Sequence, residues 1–461
     1  MLARNDNFSA EIQWHEIFAM TDKTQKTKRK RVLSGMRPTG RLHIGHYFGA
    51  LSNWLKMQEE YDCYFFVADW HALTTHYADS SQVATNTLEV ATDWLAVGLD
   101  PAKATLFIQS SVPEHAELHL LLSMITPLSW LERVPTYKEQ IENLRDKDLG
   151  TYGFLGYPLL QSADIVMYGE PGCELLVPVG EDQAPHIEMT REIVRRFNVM
   201  FGLELDDAIF REENTPHWQA ILGKVDRDAH QAFLRNVRDL RPAVRESTLT
   251  QVRRHAAQVG IQNFLDSLGP EKKFVRGTEP LVEPDVILTE TPRVPGTDGR
   301  RMAKSYGNGI WLSDTPEEIR KKAHNMMTDP QRVRRTDPGR PEVCPVFAYH
   351  NLFPPEQSSE DRARIERVDR ECRTAEIGCV DCKKLMADAL VKWIEPVQAR
   401  RREYEANPQR VWEILEEGSK RAKRVAEQTM ERVREAVFKW EDARRPSLAA
   451  GKDKGSVTAR D

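Results

Sequence analysis

No stretch of this chain stays apolar long enough to cross a bilayer as a helix. The longest nearly uncharged segment, Thr151 to Gly169, is interrupted by Pro158 and Asp164. Cysteine is scarce, six in 461 residues, and too unevenly placed for the disulfide framework of a small secreted domain. Neither sign of charge dominates. With 65 basic and 70 acidic side chains the net charge is −5, which argues against a generic nucleic-acid coat but leaves room for a local basic surface. Glycine and proline, 25 and 26 residues, are unexceptional, and hydrophobic residues make up 40%, so a collagenous or generally disordered chain is excluded. The first thirty residues carry their basic side chains late (Lys23, Lys26, Lys28, Arg29, Lys30) with no apolar run after them. They do not read as a signal peptide, and 1–30 is taken as a disordered segment. The expectation is a cytoplasmic globular chain of two to four domains, with no membrane contact.

What is present is an alternation of short β-rich runs and longer helical patterns. Arg31 to Gly35 reads as a strand, and His46 to Glu60 as a helix with Phe48, Leu51, Leu55 and Trp54 inward. Cys63 to Ala68, Thr105 to Gln109 and Glu174 to Val179 read as further strands, with a helix over Ala84 to Val97. Such alternation predicts an α/β, doubly wound parallel sheet of Rossmann-like type over 31–205, whose ligands bind at the carboxyl ends of the strands. The sequence around Gly35, Asp69 and Gly180 is then expected to line one site. Residues 206–282 are polar and mostly helical in pattern, as in Asp226 to Arg241 and Leu249 to Val259, and read as an insertion. The catalytic domain resumes over 283–315. A helical part follows over 316–445, ending in a helix near Gln409 to Asp442 with Val425, Val433, Val437 and Trp440 as its inner stripe. The tail, 446–461, reads as disordered.

Two segments carry chemistry. Ser34-Gly35-Met36-Arg37-Pro38-Thr39-Gly40-Arg41-Leu42 leads into His43-Ile44-Gly45-His46, a turn opening a helix. A helix start offers free N–H groups and a positive dipole end to phosphates, Gly45 lets a flat base approach the backbone, and two imidazoles three residues apart can donate to phosphate oxygens. Pro295 to Ser305 is a basic, glycine-bearing loop that reads as mobile, able to bring Lys304 over a nucleotide and stabilise charge arising in the transition state. Each segment alone has an ordinary structural meaning; it is their pairing that counts.

The tetrapeptide H-I-G-H and the run Arg301-Met302-Ala303-Lys304-Ser305, similar to K-M-S-K-S, resemble the two signatures of class I aminoacyl-tRNA synthetases. Further runs resemble the tryptophanyl-tRNA synthetases: Asp69-Trp70-His71, Pro135-Thr136-Tyr137-Lys138, and Tyr157 through Gln161 to Asp164. Gly180-Glu181-Asp182-Gln183, His186, Arg195-Arg196-Phe197-Asn198 and Leu288 to Pro292 continue the match in order over about 31–205 and 281–445. The resemblance implies a homodimeric ligase that activates L-tryptophan with ATP and Mg²⁺ and passes it to the 2′-hydroxyl of the terminal adenosine of tRNA(Trp). It implies that His43, His46 and Lys304 act on the phosphates, with Gly45 under the adenine. Arg301, Met302 and Ser305 join them on ATP, while Gly180, Asp182 and Gln183 handle the ribose and the polar end of the amino acid. No protein nucleophile is needed; positioning and charge stabilisation suffice. Arg301 and Ala303 depart from the usual Lys and Ser, Arg37 stands where many members carry Gln, and the insertion has no counterpart in compact members. Tyrosyl specificity and a non-catalytic RNA-binding paralogue are the competing functions. The D-W-H run favours tryptophan, and the intact signatures favour catalysis.

Side-chain selection is read from Asp164. A carboxylate inside LLQSADIVMYG needs a reason to be buried, and indole offers a single N–H donor that such a group would accept. Tyr157 and Gln161 fall on or near the same helix face.

Cys344, Cys372, Cys379 and Cys382 lie within 39 residues, where an even scatter would put about half a cysteine. A wide first interval before a compact three-cysteine group suits a cuboidal 4Fe–4S cluster better than zinc, whose usual sites have two close pairs where only Cys379 and Cys382 form one here; zinc and four unligated thiols are the alternatives. Some bacterial tryptophanyl-tRNA synthetases are similar here. Between Lys420 and Arg445 nine basic residues face five acidic ones. Arg421 and Arg424 in this run are candidate tRNA contacts.

Overall fold

The computed structural model describes residues 30–134, 150–180, 183–225, 242–289 and 293–440. A five-stranded sheet lies at its centre, formed by β1 (Lys30–Met36), β2 (Asp62–Val67), β3 (Ala104–Ile108), β4 (Glu174–Val179) and β7 (Pro284–Leu288). Every pairing is parallel and the order is β3-β2-β1-β4-β7. Because the chain first builds outward from β1 to β3 and then returns to place β4 on the other side, the switch point lies between β1 and β4.

The strands are apolar on both faces because both are covered. Along β2, Cys63, Phe65 and Val67 enter one core while Tyr64 and Phe66 enter the other. The first core also takes Trp54 and the face of α4 (Val83–Val97) that carries Val90 and Trp94. The second takes Leu118 and Leu122 of α5 (Glu114–Ser123), Leu159 and Ala163 of α6 (Tyr157–Val166), and Ile187 and Phe197 of α7 (Ala184–Gly202). The helix after β1 is broken. It opens as α1 (Ile44–His46), passes through a π turn over Tyr47–Leu51 and ends as α2 (Ser52–Met57), with Trp54 buried and Leu55 only half-buried. Between them comes α3 (Asp69–His76), just after β2.

Residues past α7 form a small unit of their own. The short strands β5 (Leu203–Leu205) and β6 (Val275–Gly277) pair antiparallel. With α8 (Thr215–Val225), α9 (Pro242–Val259) and α10 (Ile261–Ser267) they enclose a separate core around Trp218, Ile221, Val252 and Phe264. The helix read over Asp226 to Arg241 lies outside the described residues.

The chain after the sheet is helical, with α11 (Pro316–Asn325), α12 (Pro345–Leu352), α13 (Ser359–Arg373), α14 (Cys379–Ala406) and α15 (Pro408–Phe438). The inner stripe of α15 corrects the sequence reading. Trp440 is 51% exposed beyond the helix end and stacks on Phe438, while Val425 and Val437 are only half-buried. Of the expected stripe Val433 is fully buried and Val425 and Val437 pack against the core edge, while the buried line itself runs through Val411, Ile414, Leu415, Gly418, Ala422, Ala426, Met430 and Val433. The reason is closeness. The helix lies on β3, and a Cβ at Gly418 would run into the Leu106 carbonyl, so small residues rather than large apolar ones mark the contact. Among the described residues, no helix is long and apolar enough to cross a membrane.

Candidate functional site

A cavity of about 550 Å³ opens at the carboxyl ends of β1 and β4. Gly35, Arg37 and His46 line one wall, Gly180 and Gln183 another, and Tyr157, Gln161, His71 and Asp164 the floor. Gly35 has no room for a side chain, since a Cβ would sit 2.5 Å from the Phe66 ring. Asp69 does not line the cavity; its Oδ1 accepts the Ser110 N–H at 3.0 Å, tying α3 to the end of β3.

Asp164 is 1% exposed and its carboxylate is surrounded by donors. His71 donates through Nε2 at 2.8 Å, His115 through Nδ1 at 2.6 Å, and the Gln109 amide reaches both oxygens at 2.8 and 2.9 Å. His115 in turn accepts the Tyr168 hydroxyl at Nε2, 2.8 Å away, which fixes its tautomer. Burial alone would push the Asp164 carboxyl up, but the hydrogen bonds from His115 and His71 outweigh it and hold it at about 2. An acceptor that is ionised at neutral pH therefore lies at the floor of the cavity. Gln161 Oε1 and His186 Nδ1 are 3.0 Å apart beside it. Sequence reasoning chose Asp164 but missed Gln109 and His115, which belong to no recognisable run; His71 was present in D-W-H without a role.

The H-I-G-H turn is built against the loop that carries Lys304. Ile44 N–H donates to the Ile310 carbonyl at 2.9 Å, Leu312 N–H to the Leu42 carbonyl at 2.9 Å, and His43 bridges to Trp311. Gly45 lies under the His43 ring, where a Cβ would come within 2.8 Å of Nδ1, and Met302 Sδ is 3.6 Å from the same point. The His43 N–H donates to His46 Nδ1 at 3.1 Å, so a neutral His46 carries its proton on Nε2, the remaining donor. Both rings are neutral near pH 7. Burial, and then the Lys304 cation, push His43 down to about 4; burial, His43 and Lys304 push His46 to about 3. Lys304 Nζ donates to Thr39 Oγ1 at 3.0 Å and to the Gly40 carbonyl at 2.8 Å. Its own burial lowers it to about 8.

The two signature segments are thus in contact. His46, Tyr157, Gln161, Asp164, Gly180 and Gln183 share the cavity, whereas His43, Lys304 and Met302 do not line it and Arg301 is exposed. Asp182 lies outside the described residues, as do Pro135-Thr136-Tyr137-Lys138 and the side chain of Ser305.

The clustered cysteines come from three places: Cys344 just before α12, Cys372 in the last turn of α13, and Cys379 and Cys382 in the first turn of α14. All four are free thiols within electrostatic reach of one another. Arg332 Nη1 approaches Cys372 Sγ at 3.6 Å, and His350 Nε2 lies 3.4 Å from Cys382 Sγ. Among the described residues no group of three or more His, Cys, Asp or Glu side chains is set to hold a metal ion. Cys63 and Cys173 are buried elsewhere, in β2 and just before β4. Of the two candidate RNA contacts, Arg424 is exposed, while Arg421 donates to the Pro101 carbonyl at 3.0 Å.

A helix start facing a crevice at the switch point of a parallel sheet is the architecture of a nucleotide-binding α/β enzyme. The family is narrower than that. The model for class I tRNA synthetases of the W and Y kind matches residues 25–215 and 270–395. A tryptophan–tRNA ligase of Ralstonia nicotianae is 46% identical over 413 residues, covering 88% of this chain and 98% of that protein. One of Thermotoga maritima is 43% identical, with the same 88% and 98% covered. The fold is similar to that of tryptophanyl-tRNA synthetase from Campylobacter jejuni, with a TM-score of 0.62 at 25% identity over 89% of this chain and 99% of that one. The chain belongs to the class I tRNA synthetase family of tryptophan and tyrosine enzymes.

Proposed function

We propose that the chain is a tryptophan–tRNA ligase whose cavity binds tryptophan and ATP side by side. The observation that carries this reading is the ionised, donor-ringed Asp164 at the floor of a cavity whose opposite wall is the H-I-G-H helix start. The tryptophan carboxylate attacks the α-phosphorus of ATP, held with Mg²⁺, and pyrophosphate leaves. The 2′-hydroxyl of the terminal adenosine of tRNA(Trp) then attacks the adenylate carbonyl, and AMP leaves. In this reading Asp164 accepts the indole N–H, which phenylalanine cannot offer. Tyr157, Gln161 and Gln183 line the amino-acid side, and Gly45, Gly180 and Asp182 receive adenine and ribose. The uncharged His46 donates from Nε2. Lys304 supplies the cation, helped by His43, Arg301, Met302 and Ser305, once the loop shifts from its contacts with Thr39 and Gly40. Pyrophosphate exchange with ATP tests the reading: tryptophan should drive it and tyrosine should not. Exchange driven by tyrosine, or by neither amino acid, would overturn it.

The finer assignments are part of the same proposal. We read 206–282 as an insertion into the catalytic domain and 316–445 as the tRNA-binding part, with Arg424 among its contacts and Arg421 shared with the Pro101 carbonyl. A homodimer is supported by the exposed apolar side chains Leu120 of α5 and, beyond the helix, Met124, Leu128 and Tyr152. The cytoplasm is where such charging takes place. For the cysteines, four thiols drawn from three elements to one place, with Arg332 beside them, fit a thiolate-bound 4Fe–4S cluster in charge and number. Cys344, Cys372, Cys379 and Cys382 would hold it, and it would cross-link α12, α13 and α14. Anaerobically purified protein should be brown with about four irons per chain. Stoichiometric zinc without iron, or neither metal, would overturn the cluster.

A further inference from the structure

The residue just before H-I-G-H is held from both sides by polar groups that answer to a distant helix. Leu42 N–H donates to Asp93 Oδ2 at 2.8 Å. Asp93 sits in α4, is 0% exposed, and its other oxygen receives Arg401 Nη1 of α14. Arg401, 3% exposed, is locked in turn by Glu89 at 2.5 Å and Glu405 at 2.9 Å. The Leu42 carbonyl accepts the Leu312 N–H at 2.9 Å, from the turn that Asp314 closes by accepting Trp311 N–H at 2.7 Å. One helical turn before Arg401, the buried Gln398 donates its amide to the Asp314 carbonyl. Both backbone groups of Leu42 are therefore set by partners that α14 holds in place. A buried carboxylate and a buried guanidinium are costly merely to fill space, so their presence here needs a reason.

We infer that Asp93, clamped by Arg401, is a positioning residue for adenylate formation: it fixes the Leu42 peptide and thereby the reach of His43 and His46 to the phosphates. The inference rests on the ligase reading above. The Asp93 carboxylate also lies near enough to Lys304 to favour its cationic form, so it acts on both signature segments. It does not touch the floor of the cavity, where Asp164 and its donors belong to α3, α5 and α6 and the end of β3. Removing it should therefore impair turnover and leave tryptophan recognition intact.

The test is steady-state pyrophosphate exchange together with tryptophan binding followed by intrinsic fluorescence. The paired replacement Asp93→Leu with Arg401→Met removes both buried charges, so neither is left orphaned, and deprives Leu42 N–H of its acceptor. Its kcat should fall about 100-fold, the cost of misplacing reacting groups by about an ångström. Its KM and Kd for tryptophan should stay within about twofold of wild type. The single Asp93→Asn variant, unchanged in volume, should show the same kcat-specific fall to a smaller extent and serves if the pair does not fold. Wild-type kcat in the variants, or a tryptophan KM rising in step with the fall in kcat, would overturn the inference alone. Failure of the wild-type protein to exchange with tryptophan would overturn the ligase reading and this inference with it.

Discussion

Replacing Asp164 by asparagine tests the floor of the cavity without changing its shape. The wild-type carboxylate accepts on both oxygens, from His115 and Gln109 on one side and from His71 and Gln109 on the other. An amide has one acceptor. With its oxygen towards His115, its NH₂ confronts the cavity, where the indole N–H must bond. Turned the other way, the NH₂ confronts His115 and Gln109. Either orientation forfeits one charge-assisted hydrogen bond, about 1.5–3 kcal/mol. In kcat/KM for tryptophan that is a fall of roughly 10- to 150-fold. Phenylalanine, which makes no such bond, should barely change, so the Trp/Phe ratio falls by the same factor, while the KM for ATP stays near its wild-type value. Stability carries a second signature. The carboxyl is held at about 2 against the ordinary aspartate value of 3.8, which corresponds to about 2 kcal/mol at neutral pH. Because the folded value is the lower one, this contribution is complete above about pH 4 to 5 and is lost as pH falls through about 2. The stability gap between wild type and variant in urea should accordingly narrow on acidification. An unchanged Trp/Phe ratio in competitive pyrophosphate exchange would refute the assignment of Asp164.

Lys304→Ala should lower the adenylation rate by orders of magnitude with little change in ground-state ATP affinity; a loss confined to affinity would make the loop a binding element. Since burial brings Lys304 to about 8, the exchange rate should decline as pH rises through that value, and Lys304→Arg should move the decline upward; a profile unaltered by the arginine would assign it to another group. Gly418→Ala should destabilise the protein by more than about 3 kcal/mol, read from urea midpoints, because the added methyl meets the Leu106 carbonyl and α15 must lift from β3. Arg424→Glu should weaken tRNA binding and flatten its salt dependence while exchange stays unaffected, since Arg424 is exposed on α15; a wild-type salt slope would remove this face from the RNA contact.

Four of the sheet's five strands were legible in the sequence because buried parallel strands are written as short apolar runs, as in Cys63 to Val67, between helices of 3.6 periodicity; β7 (Pro284–Leu288), with Pro284 and Asp285 in it, was not. The switch-point crevice followed from that alternation, with Gly35 and Gly180 at its rim. Asp164 was also legible, since a lone carboxylate in an apolar helix is conspicuous on the page. What surrounds it was not. Gln109 and His115 come from the end of β3 and from α5, and only the fold brings them to one carboxylate. The stripe of α15 misled for a related reason: hydrophobic periodicity picks large side chains, whereas a helix laid directly on a strand selects Gly418, Ala422 and Ala426. The contact of Arg401 with Asp93 spans 308 positions of chain, and no local pattern encodes such a pair. Local order, in short runs and periodic faces, was determined by the residues themselves. Partnership between distant polar groups was decided by tertiary structure, because burying a charge is tolerable only where the fold delivers its counterpart.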